Sequence, residues 1–129
     1  MSAFNRIVAL VLLAFPAGAW VLGVGGMEVS SGLNQPFDAR IPIVGAAEEE
    51  LVDVRARLAE KDAFDRAGLS RPYLLSKLKF LVVSDDAGNG YIHVTSREGI
   101  REPALEFIVE VEWRSGSLQR KYSVLLEPR

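Results

Sequence analysis

The sequence predicts a mainly β fold, α+β by content: an antiparallel β-sandwich with a helical insertion. Three observations predict it. Ala104–Trp113 alternates apolar and polar residues along its length, the period of a half-buried strand. Clusters of turn residues (Gly32–Pro36, Asp85–Gly90, Arg114–Ser117) punctuate apolar runs at short spacing, as in two-layer antiparallel proteins. Between Gly45 and Gly68 the period changes from two to that of a helix. The chain has 129 residues, enough for one domain. Its 15 Lys+Arg and 17 Asp+Glu give a net charge of −2, without the basic stripe of a nucleic-acid binder. There is no cysteine, which excludes disulfides, Fe–S clusters and thiol nucleophiles, and a single histidine, His93.

The elements follow in order. Arg6, the apolar run Ile7–Phe15, Pro16 and the small-residue site Ala17-Gly18-Ala19 have the layout of a signal peptide over residues 1–19. The uncharged stretch also extends far enough to serve as an uncleaved anchor to about residue 26. Either form exports the remainder, and residues 20–129 form the working domain. Met27–Ser31 and Phe37–Val44 read as strands. Pro42 cannot donate to a ladder, so the second strand is expected to be an edge or bulged there.

Leu51, Val54 and Leu58 recur at i, i+3, i+7 and predict an amphipathic helix over Gly45–Lys61. Glu48, Glu49 and Glu50 suit its positive end, and Asp53 and Arg57 are spaced for an i,i+4 pair. A second short helix is expected from an Asp62 N-cap to Gly68 at C′, so that helices occupy about 46–68. Lys77–Ser84 is apolar on both faces and reads as a central strand. Asp85–Gly90 closes a hairpin to Tyr91–Ser96.

Ala104–Trp113 and Leu118–Leu126 form a closing hairpin around a four-residue turn, Arg114–Ser117. Pairing Trp113 with Leu118 places Val109 opposite Tyr122, Phe107 opposite Val124 and Glu110 opposite Lys121. In that register Arg120 lies near Trp113, close enough for a cation–π contact. Trp113, Arg120 and Tyr122 are therefore the candidate partner-binding surface.

No catalytic or metal constellation is apparent. His93 has no carboxylate adjacent in sequence and reads as a partly exposed strand histidine. Consecutive Glu48–Glu50 diverge around a helix and cannot converge on an ion. Asp85–Gly90 lacks the spacing and terminal Glu of a calcium loop. Glu106, Glu110 and Glu112 read as a wet sheet face. No serine lies in a nucleophile elbow, and no glycine motif cradles phosphate. No cofactor is expected.

Leu22-Gly23-Val24-Gly25 after the leader, Leu33-Asn34-Gln35-Pro36-Phe37-Asp38-Ala39-Arg40-Ile41-Pro42, Glu49–Ala59, Ala63–Leu69, Arg101–Trp113, Ser115-Gly116 and Tyr122–Pro128 occur in an order that resembles the N-terminal periplasmic domain of the FimV/TspA family. The resemblance implies a non-enzymatic Gram-negative envelope protein in the periplasm. It implies a role in type IV pilus assembly, twitching motility and cell-pole organisation, with envelope proteins of the pilus or secretion machinery as partners. Members of that family continue into a linker, often a peptidoglycan-binding LysM module, a transmembrane helix and an acidic cytoplasmic part. This chain stops at Arg129 and reads as the first piece of such an architecture. Membrane contact is expected only through an uncleaved leader or a downstream segment. A peptidoglycan- or glycan-binding module is the alternative reading.

Overall fold

The structure, a computed structural model, describes residues 22–129. The leader at 1–19, and the part of the alternative anchor before Leu22, lie outside the described residues. Among the described residues eight strands form two antiparallel sheets, as the alternation predicts. The larger contains β1 (Gly23–Val24), β2 (Glu28–Val29), β3 (Pro36–Val44), β5 (Lys79–Ser84) and β6 (Gly90–Gly99). Its order is β1-β3-β6-β5, with β2 also pairing β3. The smaller has the order β4-β7-β8, from β4 (Arg55–Leu58), β7 (Ala104–Trp113) and β8 (Gly116–Leu125). One helix, α1 (Lys61–Arg66), crosses from β4 towards β5.

The inner rows of the two sheets make one core. Phe37, Ile41, Ile92 and Val94 come from the larger sheet, and Phe107, Val109 and Val111 from the smaller; all are fully buried. The Phe80 and Phe107 rings meet edge-on across the layers, centroids 6.4 Å apart. Such contacts add to the burial of the rings themselves.

The largest departure from expectation is the predicted helix over Gly45–Lys61. The chain makes a single 3-10 stretch, Glu48–Asp53, and then strand β4. Leu51 and Val54 are buried and Val52 is exposed. Spacing of i, i+3 is equally satisfied by one 3-10 turn. From Arg55 the residues alternate instead, exposed arginines against half-buried Ala56 and Leu58. Cross-strand pairing then decides the outcome: Arg57 bonds Glu110 at 2.8 Å and Glu112 at 2.9 Å. The expected Asp53–Arg57 pair is absent, and Asp53 meets Arg114 at 3.3 Å. The second helix is present, but Glu60 rather than Asp62 is its N-cap; Gly68 follows its end with φ +73°.

Lys77–Ser84 is not central. A 3-10 turn covers Tyr73–Lys77, and β5 is the edge of its sheet. Its two apolar faces have separate causes: Phe80 packs on the core, while Leu81 stands outward, 64% exposed. Met27–Ser31 contributes only Glu28–Val29 to a ladder.

β3, conversely, is interior rather than an edge. Pro42 is accommodated because the flanking strand is interrupted beside it, between β1 and β2. Gly25 N–H donates to Pro42 O at 2.9 Å, so the missing N–H of Pro42 faces that interruption. A Cβ on Gly25 would approach Pro42 Cγ to 2.8 Å, so only glycine lets the chain pass. The bulge lies at the other end of β3, between Pro36 and Asp38. Buried Ser96 repairs it: its Oγ accepts from Phe37 N–H at 2.8 Å and donates to Glu98 O at 2.7 Å.

The hairpin at Asp85–Gly90 forms as its residues require. Asp85 Oδ1 accepts from the N–H groups of Ala87 and Asn89, both at 2.9 Å. The closing hairpin also forms, but two residues out of the expected register. Trp113 lies opposite Gly116, so Phe107 faces Tyr122, Val109 faces Arg120 and Glu110 faces Gln119. The turn is Arg114-Ser115, the short connection that antiparallel strands favour. The expected Glu110–Lys121 pair is therefore replaced: Glu110 binds Arg57, and Lys121 approaches Glu106 at 3.9 Å.

Phe107→Ala removes the residue shared by both layers and is expected to lower stability by about 3–5 kcal/mol. Ser96→Ala strands the Phe37 N–H and should lower it by about 1–3 kcal/mol. Urea denaturation monitored by circular dichroism measures both. A change of a few tenths in either would contradict the assigned packing or bulge repair.

Candidate functional site

The three residues singled out from the sequence do not form one surface. Trp113 ends β7, half-buried, with its ring beside Gly116. It lines an open groove of about 330 Å³ with Leu22, Ala46 and Val54, and charged Glu50, Asp53 and Arg114 complete the walls. Arg120 lies farther along β8, because the true register places it opposite Val109. The predicted Arg120–Trp113 stack is thus replaced by one on Tyr122, whose ring centroid lies 5.1 Å from the guanidinium. Arg120 Nη1 also donates to Val24 O at 2.6 Å.

Tyr122 is buried on the inner row. Its ring lies 6.4 Å from that of Phe107, and its Oη donates to Gly25 O at 2.8 Å. Arg120 and Tyr122 therefore clamp the smaller sheet to β1 of the larger one and to Gly25 just after it. Burial pushes the Tyr122 phenol above its ordinary 10.0, opposed in part by the Arg120 guanidinium.

A second group of polar side chains escapes sequence adjacency. On the outward face of the larger sheet, β3 and β6 place Arg40 opposite His93, and Asp38 one step along. His93 Nε2 and Asp38 Oδ1 are hydrogen-bonded at 2.8 Å. Tyr91 stands edge-on to His93, centroids 6.2 Å apart, and Arg40 lies 4.6 Å above the Tyr91 ring. The signal was present in Asp38-Ala39-Arg40, whose alternation sends both charged residues to one face. Its partner strand lies 55 residues away, and only the pairing reveals it. Among the described residues no group of three or more His, Asp or Glu side chains converges to hold a metal ion.

The recognisable Leu33–Pro42 stretch is explained by its bonds. Gln35 Oε1 accepts from Gly32 N–H at 2.7 Å, closing the turn. Asn34 adopts φ 68°, the left-handed region that asparagine tolerates. Asn34 N–H donates to Ile100 O and Leu33 N–H to Glu127 O, both at 2.8 Å. The turn thus joins β3, the end of β6 and the C-terminal segment.

Tyr122→Phe is expected to cost about 0.5–1.5 kcal/mol by removing the bond to Gly25. Its pH profile carries a sign. The folded-state pKa is raised, so the associated stability is complete below pH 10.0 and is lost as pH rises from there through the folded value. Thermal denaturation across alkaline pH should show this decline in the natural protein and a shallower one in Tyr122→Phe. Equal slopes would refute the assignment.

The FimV N-terminal domain family, described as an Ig-like domain, matches residues 22–129. The chain is 38% identical over 123 residues to the Motility hub protein FimV from two strains of Pseudomonas aeruginosa. The match covers 95% of this chain and 13% of each relative, so the chain spans a small part of their length. No solved structure matches it significantly. The two-sheet antiparallel fold agrees with the Ig-like description, and the chain belongs to the FimV N-terminal domain family.

Proposed function

We propose that this domain is a non-enzymatic interaction module of the periplasm, acting in type IV pilus assembly, twitching motility and cell-pole organisation. The observation that carries the reading is the match of the family over the whole described domain, together with relatives named as motility hubs. The leader-like Arg6–Ala19 stretch supports export. No helix among the described residues is long and apolar enough to cross a membrane. Its partners are envelope proteins of the pilus machinery.

The surface offered to a partner is the Trp113 groove. An aromatic side chain flanked by Leu22, Ala46 and Val54, ringed by Glu50, Asp53 and Arg114, has the composition of an interface anchor. Arg120 and Tyr122 support this end of the sandwich by holding the segment that carries Leu22.

In-frame removal of residues 22–129 from the encoding gene is expected to shrink twitching zones and reduce surface pili. Normal zones would refute the role. Trp113→Ala, with circular dichroism unchanged, should weaken recovery of co-purifying envelope proteins by about 2 kcal/mol or more in affinity. Unchanged recovery would remove the groove as the binding surface, and retention on purified peptidoglycan sacculi instead would favour a glycan-binding module.

A further inference from the structure

We propose that the outward face of the larger sheet docks a second copy of the same chain, face to face, across a two-fold axis running along β6. This surface is distinct from the Trp113 groove and does not depend on the role proposed for it.

The two outward faces of the sandwich differ. That of the smaller sheet is largely polar or covered: Arg57 bridges Glu110 and Glu112, and α1 lies against β7, with Ala63 and Ile108 buried, while Leu125, 79% exposed, stands at the end of β8 beside exposed Ser123. That of the larger sheet carries no covering element among the described residues. It exposes Leu81 by 64% and Val44 by 54%, with Pro42, Tyr91 and Val83 partly exposed between them. Val83, Tyr91 and Pro42 are neighbours across β5, β6 and β3, with Leu81 and Val44 next along β5 and β3, and apolar side chains grouped in this way mark an interaction site.

The register identifies the occupant. Three rows cross β3, β6 and β5: Pro42, Tyr91, Val83; then Arg40, His93, Leu81; then Asp38, Thr95, Lys79. A two-fold axis along β6 exchanges the β3 and β5 columns and keeps each row at its own level. Asp38 then faces the partner subunit's Lys79, and the contact occurs twice. Pro42 faces the partner subunit's Val83, and Tyr91, with the Arg40 guanidinium of its own chain 4.6 Å above its ring, lies opposite its own symmetry mate. Leu81 lies against the aliphatic stem of the partner subunit's Arg40.

Within one chain Asp38 and Lys79 are separated by the width of β6. Asp38 bonds His93, and Lys79 has no ion pair among the described residues. An isologous interface must bring its patch onto itself. One end row does so in charge, Asp38 against Lys79, and the other in apolar content, Pro42 against Val83, whereas a face for a strongly acidic or basic partner would carry one sign. An axis parallel to the strands also gives the aligned packing usual between sheets.

Sedimentation equilibrium of the exported chain, purified through a C-terminal tag, tests this over a micromolar to submillimolar series. The natural chain should show a monomer–dimer equilibrium. Asp38→Lys and Lys79→Asp, each of which sets like charges together twice, should each weaken it by about tenfold or more. An equimolar mixture of the two variants restores both opposite-charge contacts and should recover the dimer. Leu81→Lys, on an exposed edge strand where folding is not at stake, should also give monomer. A natural chain that stays monomeric throughout would overturn the proposal and leave the face to a different protein. So would variants that associate as tightly as the natural chain, or a mixture no tighter than its components.

Discussion

A strand has two faces, and residues alternate between them without exception unless a bulge intervenes. The fold rests on that constraint. β3, β6 and β7 each send one row inward, and the rows can leave water only by covering one another. Phe107 is the place where this is most visible, since it touches Phe80 from the opposite layer and Tyr122 from the next strand. Once the inner rows are chosen, the outer rows follow. The wet ladder of Arg57, Glu110 and Glu112 is one consequence, and the mixed row of Asp38, Arg40 and His93 is the other.

Where alternation fails, a specific group repairs the damage. The bulge at the start of β3 would leave Phe37 N–H without a partner, and Ser96 supplies one. Pro42 would break a ladder, and the flanking strand is split beside it. The open side of the smaller sheet is tied by Arg120 and Tyr122 to carbonyls of Val24 and Gly25. No buried side-chain nitrogen or oxygen among the described residues lacks a hydrogen-bond partner. That accounting matters because one stranded polar group offsets much of what a buried apolar side chain contributes.

Parity is local, and so it is legible in the sequence. The inward row of Leu105, Phe107, Val109 and Val111 can be read from the alternation alone, and the structure buries all four. Register is not local. A slip of two residues leaves every side chain on its proper face while changing every partner, and the closing hairpin shows that error. The same blindness wrongly joined Arg120 to Trp113, and it concealed the contact between Asp38 and His93. The Leu51, Val54, Leu58 spacing misleads for another reason. It is compatible with a helix, but a four-residue strand flanked by acidic partners on β7 competes for Arg55–Leu58 and prevails. Edge position is equally hidden, because Leu81 is apolar whether or not anything covers it.

The bond from Tyr122 to Gly25 spans 97 residues. No hydrogen bond among the described residues closes a larger loop, and this one is made from the last strand. As the chain emerges in order, the segment around Gly25 has no fixed anchor on the smaller sheet until Tyr122 is available. Pairing of β3 with β6 likewise waits across the whole intervening stretch. A topology so dominated by distant partners belongs with the slow folders, on the order of milliseconds to seconds rather than microseconds. Until the final hairpin pairs, the inner rows of β3 and β6 have no complete opposite layer to cover them.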